Sequence, residues 1–195
     1  MTRPDVVGVT QRVVDCAHGE TRLALDVRWA GFLDACGLVA VPLPLDPELA
    51  VRTMRRTGCG GLVLTGGDSI GSRPARDHLE TELLRFAVDN ALPVVGVCRG
   101  MQLLLHAFGC ELRRVEGHTA TTHPLTGLLG GRVVNSFHDW SVLNAPPEFE
   151  VTARHGAVVE AVRHRAAPLT GIMWHPERAA VAAEDVALFE EALTG

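Results

Sequence analysis

One cysteine of this chain stands in a setting suited to nucleophilic chemistry. Gly96-Val97-Cys98-Arg99-Gly100 places it where the apolar run Pro93–Val97 meets the amphipathic stretch Arg99–Phe108. The pattern is G-x-C-x-G, the thiol counterpart of the G-x-S-x-G nucleophile elbow. Such an elbow is sharp, and its nucleophile sits in a strained backbone conformation that small neighbours must allow. The start of a helix favours a thiolate and offers free N–H groups to an oxyanion. A buried core cysteine beside a helix-start glycine would read the same way. Two other segments tip the balance. In Met173-Trp174-His175-Pro176-Glu177 the His and Glu are two apart, so on an extended segment both point the same way. That suits a base and the carboxylate that orients it, although an exposed loop His and a surface Glu would share the spacing. Gly66-Gly67-Asp68, after Leu62-Val63-Leu64, supplies a flexible backbone turn.

The elements that must position these groups alternate through the first half of the chain. Strands are expected at Val6–Thr10, Leu38–Pro42, Gly61–Thr65 and Pro93–Val97. Helices are expected at Leu23–Cys36, Pro47–Arg56, Arg76–Ala91 and Arg99–Phe108, with Gly37, Gly58 and Gly109 as stops. Strand–helix alternation means an α/β unit with a parallel sheet, whose ligands sit at the carboxyl ends of strands. Gly66-Gly67 and Cys98 both fall at such ends. Beyond Gly109 strands follow without intervening helices: Glu111–Val115, Arg132–Asn135, Phe149–Ala153, Val158–Val162 and Thr170–Met173. A helix at Ala183–Leu193 closes the chain. A mostly parallel sheet with an antiparallel extension fits this order, in a single domain over residues 1–195.

Composition excludes other chemistry. The 195 residues include no lysine and no tyrosine, and all 18 basic residues are arginine. No Schiff-base lysine and no P-loop lysine exist. A net charge of −5 argues against nonspecific nucleic-acid binding. At 47% hydrophobic and 21% charged, the chain reads as an ordinary globular domain. No apolar stretch approaches a membrane span, and the run after Met1–Asp5 reads as a strand, not a signal peptide. The five cysteines are odd in number with no C-x-x-C pair. They read as reduced thiols of a cytoplasmic protein, without a disulfide framework or zinc cage.

The order Cys98…His175-Pro176-Glu177 with an upstream Gly-Gly turn resembles the class I glutamine amidotransferase superfamily over essentially the whole chain. The resemblance implies a flavodoxin-like three-layer sandwich and a thioester mechanism. In it Cys98 attacks a γ-glutamyl carbonyl, His175 moves the proton, Glu177 holds His175, and the N–H groups of Gly67 and Arg99 form the oxyanion hole. Arg99 directly after the cysteine looks like the γ-glutamyl-γ-aminobutyrate hydrolase branch. So do Arg76-Asp77-His78-Leu79-Glu80 (R-D-x-x-E), Val134-Asn135-Ser136-Phe137-His138, and Gly156–Ala161 after His155. The resemblance further implies that Gly66, Gln102, Asn135, Ser136 and His138 meet the γ-glutamyl group. It leaves Arg76, Asp77 and Glu80 open between a site role and a charge-paired helix start.

Two departures narrow the branch. Only seven residues separate Asp68 from Arg76, where those hydrolases carry a longer lid. Met173 stands where they have Gln, and Asp139-Trp140 where they have His-Gln. A short loop and Met-Trp-His look like the γ-glutamyl-CDP-amidate hydrolases. These remove glutamate from a γ-glutamyl phosphoramidate nucleotide during synthesis of phosphoramidate-modified cell-surface polysaccharide. The alternatives are a γ-glutamyl-γ-aminobutyrate-type hydrolase and a glutaminase subunit donating ammonia to a synthetase. The expected partner is a small γ-glutamyl substrate, with no cofactor and no metal; a homodimer stays open.

Other polar residues carry weaker signals. His118 and His123 flank Thr119–Thr122, read as a polar loop near the site mouth; they would make a metal pair, but no third ligand is evident. Arg113-Arg114 reads as a solvated strand edge that could meet a phosphate. His106 reads as a satisfied core residue within an apolar helix. Trp29 and the remaining cysteines, Cys16, Cys36, Cys59 and Cys110, read as packing residues.

Overall fold

The computed structural model describes residues 5–194. Among them thirteen strands are β1 Val6–Val9, β2 Arg12–Asp15, β3 Thr21–Ala24, β4 Val39–Pro42, β5 Gly61–Leu64, β6 Val94–Val97, β7 Arg113–Arg114, β8 Thr119–Pro124, β9 Val133–Phe137, β10 Trp140–Ser141, β11 Phe149–His155, β12 Val158–His164 and β13 Leu169–Ile172. Five helices are α1 Arg28–Ala35, α2 Pro47–Thr57, α3 Pro74–Asp89, α4 Arg99–Ala107 and α5 Ala183–Thr194. Among the described residues no helix is long and apolar enough to cross a membrane.

The main sheet has the order β11-β12-β13-β6-β5-β1-β4. From β13 to β4 all pairings are parallel, while β12 pairs antiparallel with both β13 and β11. This is the expected parallel sheet with its antiparallel extension. Strand alternation sorts the core into two layers. Leu62, Leu64 and Val94 pack with Ala50, Met54, Leu79, Leu83 and Leu104 of α2, α3 and α4. Val63, Val95 and Val97 pack on the other face with Trp29, Phe32, Leu33, Phe189 and Leu193 of α1 and α5. The result is a three-layer sandwich. Fully buried parallel strands read as continuous apolar runs, as β5 and β6 do.

Local chemistry explains the best-marked helix. The Asp46 carboxylate caps α2 by accepting from the Leu49 N–H at 2.7 Å, Pro47 opens it, and Gly58 closes it at φ 69°.

The expected helix Leu23–Cys36 is corrected. Its first part is β3, which pairs antiparallel with β2 as an exposed hairpin, and α1 starts only at Arg28. The helical spacing of Leu23, Val27, Ala30 and Leu33 is accidental: Val27 is exposed. Asp26 sets the start by accepting from the Arg28 N–H at 3.0 Å. The expected strand Glu111–Val115 shrinks to β7, which pairs with β10. The expected loop Thr119–Thr122 is strand β8, paired with β9.

Candidate active site

At the end of β6 the chain turns sharply through Cys98 into α4. Cys98 has φ 53° and ψ −107°, a region L-residues avoid. Two close approaches hold it there. A Cβ on Gly100 would lie 2.0 Å from the Leu64 carbonyl oxygen, and one on Gly96 would lie 2.7 Å from the Gly100 backbone. Only glycine fits either position. The Cys98 N–H donates to the Ile172 carbonyl at 2.7 Å, tying the elbow to β13.

β13 delivers the second group. After Ile172 the chain runs through Trp174, whose indole N–H donates to Asp185 at 2.9 Å, to His175. A single 3₁₀ turn, Pro176–Arg178, brings Glu177 back so that its Oε1 lies 2.7 Å from His175 Nδ1. Asn135 of β9 grips the same backbone twice: its amide donates to the His175 carbonyl at 2.8 Å and accepts from the His175 N–H at 2.8 Å. His175 is also hydrogen-bonded to Cys98. Burial alone would lower the pKa of His175, but the hydrogen bonds to Cys98 and Glu177 outweigh it and raise it from 6.5 to about 9. A Cβ on Gly66 would lie 2.5 Å from the His175 ring, so a side chain there would displace it.

Behind the elbow lies a buried ionic network. The Arg99 guanidinium donates to Glu80 and to Asp77. Arg76 donates to Glu80 at 2.8 Å, to the Thr65 carbonyl at 3.0 Å and to the Gly66 carbonyl at 3.0 Å. These four residues lock the start of α3, the start of α4 and the turn after β5 into one unit. The two readings of Arg76, Asp77 and Glu80 therefore merge: a charge-paired helix start that also fixes the Gly66-Gly67 turn.

A cavity of about 480 Å³ opens over Cys98, lined by Gly67, Arg99, Gln102, Phe137, His138 and Trp140 among others. Its walls bring Gly67, Cys98, Arg99, Gln102 and His138 together. Asn135 and Ser136 are engaged elsewhere: Asn135 holds His175, and the fully buried Ser136 hydroxyl donates to the His118 carbonyl at 2.6 Å. Gln102 donates to the Trp140 carbonyl at 2.7 Å, bracing the far wall. Phe137 and Trp140 keep about two fifths of their surface exposed at the mouth.

The family model for glutamine amidotransferase class-I matches residues 37–194. The chain belongs to this family. As a class I glutamine amidotransferase family member it is 25% identical over 181 residues to a γ-glutamyl-CDP-amidate hydrolase of Campylobacter jejuni, covering 88% of this chain and 90% of that one. It is 35% identical to a glutamine-hydrolyzing GMP synthase subunit of Methanothrix thermoacetophila, over 60% of this chain and 66% of that one. It is 29% identical to a carbamoyl phosphate synthase small chain of Desulfovibrio desulfuricans, over 79% of this chain but only 42% of that one. Among solved structures, a GMP synthase subunit of Thermoplasma acidophilum superposes with TM-score 0.73 at 18% identity, covering 100% of this chain and 94% of that one. A glutamine amido transferase of Methylobacillus flagellatus gives TM-score 0.61 at 16% identity, covering 97% of this chain and 77% of that one. These structures share the fold.

Within this family frame the histidines need correction. His118 and His123 are not loop residues at the mouth. Both are buried, with His138 and Glu160, and one ligand-capable atom from each of the four lies within 4.8 Å of the others. The third ligand-capable side chain that the sequence did not reveal is thus His138, and Glu160 is a fourth. Burial, chiefly, lowers the pKa of His118 and of His123, against the pull of Glu160, which raises it. His106 is exposed at the end of α4, its Nδ1 3.3 Å from the Cys110 carbonyl oxygen. Cys36 and Cys59 are buried as packing residues, while Cys16 and Cys110 are only half-buried. Arg113 and Arg114 are exposed, as expected of a solvated edge.

Proposed function

We propose that the chain is a cysteine hydrolase of γ-glutamyl amides that works through a thioester and releases glutamate. The observation that carries this reading is the constellation at the floor of the cavity: Cys98 in a strained turn at a helix start, bonded to His175, itself 2.7 Å from Glu177. In the first half-reaction the Cys98 sulfur bonds to the γ-carbonyl carbon, and the carbonyl π electrons move onto oxygen. The N–H groups of Gly67 and Arg99 take up that oxyanion; Arg99 is the first residue of α4, so its N–H has no partner within the helix. His175 is a cation at neutral pH and gives its proton to the nitrogen as the C–N bond breaks. Water then attacks the thioester, His175 takes its proton, and the C–S bond breaks.

The leaving group we favour is a phosphoramidate nucleotide. The similarity to the Campylobacter hydrolase spans nearly both chains. The mouth also suits such a group: Phe137 and Trp140 offer exposed aromatic faces to a base, and Arg114 sits directly across from Trp140 in the β7–β10 pair. The second reading is a glutaminase subunit, favoured by the likeness to the glutamine-hydrolyzing GMP synthase subunit of Methanothrix thermoacetophila. A side-by-side comparison of kcat/KM decides between them. The phosphoramidate nucleotide should exceed γ-glutamyl-γ-aminobutyrate and free glutamine, because remote contacts to the nucleotide can lower the barrier. If glutamine is the best substrate, and better still with an added synthetase, the second reading replaces the first. Glutaryl amides, which lack the α-amino group, should not be cleaved.

A further inference from the structure

His118, His123, His138 and Glu160 come from distant parts of the chain. His118 immediately precedes β8, His123 lies in it, His138 follows β9, and Glu160 belongs to β12 of the main sheet. His118 and His123 are five apart, so in a regular strand they would face opposite ways. A bulge removes the conflict. Thr119 pairs with Phe137 and Thr121 with Ser136, which leaves Ala120 as an extra residue at φ 52°. One extra residue restores the parity and turns both rings to the same side. A non-glycine residue in that region costs about 1 kcal/mol, and no turn requires it here.

The donor atoms are buried and unsatisfied. His118 Nδ1, both ring nitrogens of His123, His138 Nε2 and both Glu160 oxygens make no hydrogen bond. Yet they converge. Glu160 Oε1 lies 3.2 Å from His118 Nδ1, 3.7 Å from His123 Nε2 and 3.5 Å from His138 Nε2. Ligands about 2.0–2.1 Å from a tetrahedral ion stand roughly 3.3–3.4 Å from one another, which these separations bracket. His138 has a second feature of a metal ligand: its other nitrogen, Nδ1, is 3.2 Å from the Trp140 carbonyl oxygen, which fixes the tautomer and aims Nε2 at Glu160.

We propose that His118, His123, His138 and Glu160 form a binding site for a divalent transition-metal ion of the zinc class. Three imidazoles and one carboxylate suit zinc over magnesium or calcium, which prefer all-oxygen shells. With four protein ligands the shell is closed, so the ion ties parts together and generates no nucleophile. It joins the β8–β9 hairpin to β12 and holds the His138 wall of the cavity. The Trp140 carbonyl that receives Gln102 also faces His138, so the ion steadies the part of the pocket lined by His138 and Trp140.

Metal analysis of the purified full chain tests this. After dialysis against a chelator and then against zinc chloride, the wild type should hold one zinc per chain, and its unfolding temperature should rise. Cobalt chloride in place of zinc should give the visible absorption of a tetrahedral cobalt site. His123→Ala and Glu160→Gln should each weaken zinc binding by roughly 100-fold or more. Cys98→Ala should keep the full stoichiometry, which separates this site from adventitious zinc on the catalytic thiol. The proposal is overturned if the wild type takes up no zinc and its unfolding temperature does not move. It is equally overturned if zinc is lost with Cys98→Ala and kept with His123→Ala.

Discussion

The elbow and His138 of the histidine group line one cavity, and both regions bury polar side chains. They differ in how those side chains are satisfied. Behind the elbow, Glu80 receives two guanidinium groups, and Glu177 receives His175. In the histidine group, Glu160 and its three neighbours come within 3.2–3.7 Å without completing a hydrogen bond. A buried polar group left unpaired is costly, so natural folds keep few of them, and six such atoms gathered at one place call for an explanation. On the elbow side every carboxylate has at least one partner, although Arg76 Nη1, Glu177 Oε2 and Arg178 Nε are left without one. In the histidine group neither oxygen of the one carboxylate, Glu160, has a hydrogen-bond partner, and this is the group for which a metal ion is proposed.

The largest effect should come from the nucleophile. Cys98→Ala should lower turnover roughly 10⁴-fold or more, whereas Cys16, Cys36, Cys59 and Cys110 changed singly to Ala should leave the chemistry intact. Steady-state kinetics on a γ-glutamyl amide measures this, and near wild-type activity in Cys98→Ala would remove the thioester mechanism. Mass spectrometry after brief iodoacetamide treatment should find Cys98 labelled first.

The contrast between the two regions can be broken by removing one carboxylate charge from each. Glu80→Gln leaves two buried guanidinium groups short of a counter-charge and should destabilise the fold by about 3–5 kcal/mol. Glu160→Gln in chelator-treated protein should cost much less, because no hydrogen bond is lost. Urea unfolding of both variants makes the comparison, and equal losses would mean that Glu160 is satisfied by its own chain.

A pH series sharpens the elbow side. The pKa of His175 rises on folding from 6.5 to about 9, so its contribution to stability is complete below pH 6.5 and is lost as pH climbs through about 9. The unfolding temperature of the wild type should fall across that window. In Glu177→Gln, which lacks one of the groups raising the pKa, the fall should be shallower. An identical pH dependence in both proteins would show that Glu177 does not hold the His175 proton.

The smallest effect belongs to the rim. Trp140→Ala should raise KM for a nucleotide-bearing substrate about tenfold with little change for glutamine, a loss of about 1.4 kcal/mol in binding. Equal changes for both substrates would argue against base stacking at Trp140.

The sequence made the elbow side legible because its signals are local. Gly96, Cys98 and Gly100 sit within five residues, and β5 and β6 are buried on both faces, so they read as unbroken apolar runs. Asp46, Pro47 and Gly58 punctuate α2 with side chains that act on adjacent backbone. The N-terminal hairpin was hidden because β2 and β3 are largely exposed and carry little apolar alternation, while Leu23, Val27, Ala30 and Leu33 fell at helical spacing by chance. The histidine group was hidden for another reason. His118 and His123 have the wrong parity for one face of a strand, and only the bulge at Ala120 reconciles them. No rule of spacing connects either with Glu160. Asn135 was recognised by its motif, but its two bonds to the His175 backbone could not be read from spacing.

The position of β13 bears on how activity arises during synthesis. It follows every other described strand in the chain, yet it lies inside the sheet between β12 and β6, and the residues just beyond it include His175 and Glu177. A ribosome that has released Cys98 must still make about three quarters of a hundred residues before the base emerges. Until β13 slots into its gap, the β11–β12 hairpin has no strand linking it to the parallel half, and Cys98 has no His175 beside it. Under the proposed mechanism the nascent chain is therefore inert by construction, and the Cys98 sulfur is armed only when the last strand closes the sheet.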